Sequence, residues 1–84
     1  MDRKALLDEI RRRNRVHLPA LLAALERVGA GIRLTQADHE AVIDSLEDGN
    51  ASLAFEEPDR AERALAARVL DLCRRIHVAE AQLK

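Results

Sequence analysis

Apolar residues along this chain recur at three- and four-residue intervals. "DRKALLDEIRRRNR" (residues 2–15) places Leu6, Leu7 and Ile10 on one helical stripe, with Asp2 near the start and arginines toward the end, as a helix dipole favours. The stripe continues through Asn14, Leu18, Leu21, Leu25 and Val28. Pro19 interrupts it: proline lacks a backbone donor and disfavours helical geometry at Leu18, so a kink or break is expected near residues 14–19. "PALLAALERVGAG" then reads as a second helix that ends near Val28, with Gly29 as the left-handed residue past its end.

"LTQADHEAVIDSLEDGN" (residues 34–50) carries the cleanest local signal. Thr35 caps a helix whose third position, Asp38, answers it in a capping box, and Gly49 supplies the expected stop. Ala37, Ala41, Val42 and Leu46 form the apolar stripe, with Ile43 beside it. A short helical turn follows around Leu53, Ala54 and Phe55, closed by Pro58, and Phe55 is expected to plug the core. The last segment, from residue 58 to 84, has no internal breaker and spaces Leu65, Val69, Leu72, Ile76, Ala79 and Leu83 as a heptad seam. A helix from residue 58 to 83 would run about 39 Å, long for so small a domain. The seam Leu65, Val69, Leu72, Ile76 therefore predicts a homodimer, against the simpler reading that the helix spans its own bundle.

The pattern as a whole predicts an all-α fold: one domain over residues 1–84, a small bundle of three to five helices with a long C-terminal helix. Composition agrees, being rich in Ala, Leu, Arg and Glu, with one Phe, no Tyr or Trp, three Gly and two Pro. The single cysteine, Cys73, cannot form an internal disulfide, so a cytoplasmic location is expected. Neither a signal-peptide pattern nor a run of membrane-spanning length occurs.

Charge changes the picture by its distribution. The net value of −1 conceals seven basic and four acidic residues in 1–28, one and seven in 29–57, and six and four in 58–84. Two basic helical segments flank an acidic middle, an arrangement suited to attraction within the fold or between protomers.

Catalytic and metal chemistry find little support. "HEAVI" (residues 39–43) opens like the zinc-protease motif but has Ile43 where the second histidine must bind. Cys73 and His77 share a helix face at i, i+4, too few ligands for a structural zinc site. As a nucleophile and base the pair lacks a Gly-rich turn, oxyanion donors and room for a cleft. No enzyme activity and no cofactor are expected.

Two binding readings remain. "RRRNR" (residues 11–15) offers Arg11, Arg12, Arg13 and Arg15 to phosphates, with Asn14 able to read a base edge. A helix-turn-helix around "EDGNAS" would present Glu56 and Glu57 to the backbone it must approach, which makes a nucleic-acid regulator the alternative rather than the first choice. The first choice is a partner protein with a basic surface, met by Asp38, Glu40, Asp44, Glu47 and Asp48 on the Thr35 helix. The stretch Leu34–Glu57 resembles small helical bacterial immunity proteins, with a capped acidic helix, a Gly-containing turn and a Leu-Ala-aromatic helix start; it departs from them at Asn50 and Pro58. That resemblance implies stoichiometric binding to a basic protein partner. The long C-terminal amphipathic helix also resembles, in style, small helical secretion chaperones.

Overall fold

The computed structural model describes residues 2–54 and 60–83, and the statements below concern those residues. They form three helices, α1 (Arg3–Gly29), α2 (Gln36–Leu53) and α3 (Arg60–Ala81), with no strand among them. Each helix packs on both others. His17 lies against Asp48 and Arg27 against Asp38, so α1 and α2 run antiparallel. His39 against Glu80 and Val42 against Cys73 set α2 antiparallel to α3 in turn.

Helix α1 runs through Pro19 without a break. Pro19 and Arg15 are both exposed, so the turn that loses its hydrogen bond faces water. Burial of Ile10 before it and of Leu21, Ala24 and Val28 after it keeps the two halves in one helix, outweighing a penalty of about 3 kcal/mol. The helix ends in a Schellman motif: Gly31 N–H donates to the Val28 carbonyl and Ile32 N–H to that of Arg27. The left-handed residue is Gly31, at φ 81°, rather than Gly29.

Helix α2 begins at the expected capping box. The Asp38 N–H donates to Thr35 Oγ1 at 3.1 Å, and the Thr35 N–H to Asp38 Oδ2 at 3.0 Å. It does not stop at Gly49, which is buried inside the helix; a Cβ built there would stand 2.9 Å from Leu70 Cδ2. The glycine serves close approach of α3, and the turn expected after it is the last turn of α2. Phe55, Glu56, Glu57 and Pro58, for which a core plug and a helix stop were expected, lie outside the described residues.

The core joins Leu21 and Ala24 of α1 to Val69, Leu72, Cys73 and Ile76 of α3, with Leu18, Leu25, Leu34, Val42 and Leu65 packed on it. The heptad seam is thus consumed within one chain: Val69 is fully buried and Ile76 is 1% exposed. Val69, Leu72 and Ile76, expected at a dimer seam, are core residues of the single chain, and Leu65 packs against them. Nor is α3 too long for its domain, because α1, at 27 residues, is longer than α3, at 22, and the molecule's longest dimension is 44 Å.

Candidate functional site: the solvent face of α2

Helix α2 buries a smaller and more polar set of residues than its sequence predicts. The residues it buries are Asp38, Ser45, Gly49 and Ser52. Its large apolar residues point outward: Ile43 is 54% exposed, Leu46 38% and Leu53 36%. Of the predicted stripe only Ala41 and Val42 are half-buried, while Ala37 is exposed.

Polar contacts fix this rotation. Arg27 Nε donates to Asp38 Oδ2 at 3.1 Å, and its terminal nitrogen bonds the other carboxylate oxygen. That hydrogen bond, aided by the Thr35 backbone N–H, holds the Asp38 carboxyl below its ordinary range. Toward the other end, His17 Nε2 and Asp48 Oδ2 lie 2.6 Å apart, with both side chains largely covered. With Asp38 and Asp48 both aimed at α1, the small residues Ser45, Gly49 and Ser52 are left to meet the neighbouring helices. Ser45 satisfies its own hydroxyl by donating to the Ala41 carbonyl.

The five predicted acids therefore divide. Asp38 and Asp48 belong to the fold, so they leave the predicted partner surface. Glu40, Asp44 and Glu47 remain exposed; Glu40 accepts a bond from Gln36, and Asp44 and Glu47 make no ion pair among the described residues. At i, i+4 and i+7 they form one stripe. Asp44 and Glu47 line a cleft with Arg13 and His17 of α1, whereas Ile43 lines one with Ile76 and His77 of α3. The outer surface of α2 is thus split lengthwise, acidic toward α1 and apolar toward α3.

The arginines of "RRRNR" are mostly engaged. Arg11 pairs with Asp8 at 3.2 Å and with Glu62 of α3, Arg12 approaches Glu9 at 4.0 Å, and Arg13 stands 3.9 Å from both Glu9 and Asp48. Arg15 alone of the four has no ion pair among the described residues. Asn14 cannot read a base edge, being 1% exposed in the bundle, with its Oδ1 lacking a partner.

Cys73 and His77 do not come together as a dyad. Cys73 is buried and its thiol donates to the Val42 carbonyl at 3.7 Å, while His77 is exposed. Burial pushes the Cys73 thiol up, away from the thiolate that a nucleophile needs. His39, the start of "HEAVI", instead bonds Glu80 across the α2/α3 interface at 2.6 Å. Among the described residues no group of three or more metal-ligating side chains converges, and no helix is long and apolar enough to cross a membrane.

Sequence reasoning missed Ile43, Leu46 and Leu53 as surface residues. The available signal was the Ser45, Gly49, Ser52 spacing, a small-residue stripe on which another helix can pack closely. No protein family, curated protein or solved structure matches the chain.

Proposed function

We propose that this protein is a non-enzymatic binding module that acts in the cytosol by engaging a partner protein with a basic surface through the solvent face of α2. The observation that carries this reading is the outward pairing of an apolar stripe with an acidic one on the same helix. A lone exposed apolar residue is ordinary, but Ile43 and Leu46 turned out while serines are turned in is an arrangement that isolation does not reward. The unpaired acids supply the long-range steering and specificity that such an interface uses, and the apolar stripe supplies affinity. Neutralisation or escort of a partner, in the manner of an immunity protein or a chaperone, fits this chemistry. The residues that build the face fall within Leu34–Glu57, the stretch whose sequence resembles the immunity proteins.

The double reversal Asp44→Lys, Glu47→Lys tests it, with the partner isolated by affinity capture and identified by mass spectrometry. Both residues are exposed and unpaired, so the thermal melt should move by no more than about 0.5 kcal/mol equivalent. Association with the purified partner should slow by roughly tenfold or more at low salt, with the difference shrinking as salt rises. Unchanged association kinetics would reject the reading. Steep salt-dependent binding to generic duplex DNA would replace it with the nucleic-acid alternative.

A further inference from the structure

Between α2 and α3 the apolar half of this face deepens into a groove. One cleft, of about 230 Å³, is lined by Val42 and Ile43 of α2 and by Ile76 and His77 of α3. A second, of about 380 Å³, is lined by Arg33, Leu34 and Leu83. Both include His39 and Glu80, so the His39–Glu80 bridge forms the saddle between two apolar depressions of one groove. Glu40, Asp44 and Glu47 flank the groove along α2, on the far side of Ile43.

We propose that the partner presents an amphipathic helix laid along the α2/α3 groove, seating apolar side chains on either side of the His39–Glu80 bridge and a Lys/Arg flank against Glu40, Asp44 and Glu47. This rests on the reading above that α2 binds a basic protein, and it names the element that is bound. A helix is the shape that fits. The groove runs between two helices, whose backbone groups are already bonded and offer no edge for an added strand. Two depressions in line along the groove match the i, i+3, i+4 and i+7 anchors by which a helix is read. The charge beside the groove selects the occupant, because the acids form a continuous stripe on one border only. A second copy of this chain is a poorer occupant. Across a two-fold axis on this face the acidic stripes of the two copies would approach each other, and the groove-lining residues offer a single arginine, Arg33, to offset them.

The test uses the whole protein, isotopically labelled for NMR, and three designed helical peptides of about five turns. One carries a leucine seam with a lysine flank. The second has the same composition reordered so that the leucines scatter around the helix, and the third keeps the seam with a glutamate flank. The first peptide should shift the amides of His39, Val42, Ile43 and His77 together with those of Glu40, Asp44 and Glu47, and the other two should not. Ile43→Glu should weaken that binding by roughly tenfold or more without lowering the melting temperature, since Ile43 is exposed. Equal binding by the reordered peptide, with shifts confined to Glu40, Asp44 and Glu47, would overturn the groove inference and leave the acidic-face reading standing. No binding by the first peptide, or binding elsewhere on the molecule, would overturn the groove inference, while the association kinetics of the Asp44→Lys, Glu47→Lys protein decide the acidic-face reading separately. Sedimentation that shows a stable oligomer dissociated by Ile43→Glu would assign the groove to a second copy and overturn the partner helix.

Discussion

Asp38 concentrates several roles in one buried carboxylate: it closes the capping box with Thr35, receives Arg27 from the preceding helix and sets the rotation of α2. Because Arg27 holds the folded carboxyl below the unfolded value of about 3.9, the pair's contribution is fully present above that value. It is lost as pH falls through about 4 and on toward the depressed folded value. Asp38→Asn should cost about 2 kcal/mol at neutral pH, from a charged hydrogen bond and part of a cap. It should also flatten the dependence of melting temperature on pH in the acid range, which a series of calorimetric scans of wild type and variant would measure. Asn14 represents the opposite case. Its Oδ1 is buried without a partner, so Asn14→Leu should raise stability by about 1–2 kcal/mol in a denaturant melt, the desolvation penalty being removed with the group. A fall in stability would mean that the site cannot accept the added branch.

At the scale of elements, the sequence makes legible what local chemistry decides. The capping box at Thr35 and Asp38 is readable because both partners lie within one turn, and the α1 and α3 stripes are readable because large apolar residues recur on one face. Two of the punctuation marks read as breaks are not breaks, since Pro19 and Gly49 are overruled by what lies beside them in space. Gly49 shows why: a stop and a close helix contact both call for glycine, and only the position of Leu70 distinguishes them. The same limit hid the outward face of α2. Its residues have an ordinary helical period, and the rotation depends on partners, His17 and Arg27, on another helix. The alternation of α3 was readable, but its use was not, because a seam that holds a dimer and one that holds an intramolecular core have the same spacing. Ile76→Asp distinguishes them. With Ile76 at the centre of a single-chain core, the substitution should cost roughly 3–5 kcal/mol and remove most of the helical circular dichroism, instead of yielding a folded monomer from a dimer.

For the molecule as a whole, charge segregation has two uses. Some of the attraction between basic and acidic segments is internal, through Arg27–Asp38 and Arg13–Asp48. Among the described residues the other acids of the acidic segment, Glu40, Asp44 and Glu47, stay on the surface, which is why reversing the exposed pair and replacing Asp38 should have opposite profiles, one kinetic in binding and one thermodynamic in folding. The connection between α1 and α2 has a consequence for the time course by which the chain reaches this structure. Six residues, 30–35, turn it around. Arg27 holds both sides, its carbonyl accepting from Ile32 and its guanidinium donating to Asp38. These contacts close short loops and cost little chain entropy, so the α1/α2 hairpin can assemble before α3 docks, in a topology whose local contacts favour folding within about microseconds to milliseconds. In stopped-flow or temperature-jump kinetics, Asp38→Asn should then slow folding more than it hastens unfolding, whereas Ala66→Gly, in the late-docking helix, should act mainly on the unfolding rate.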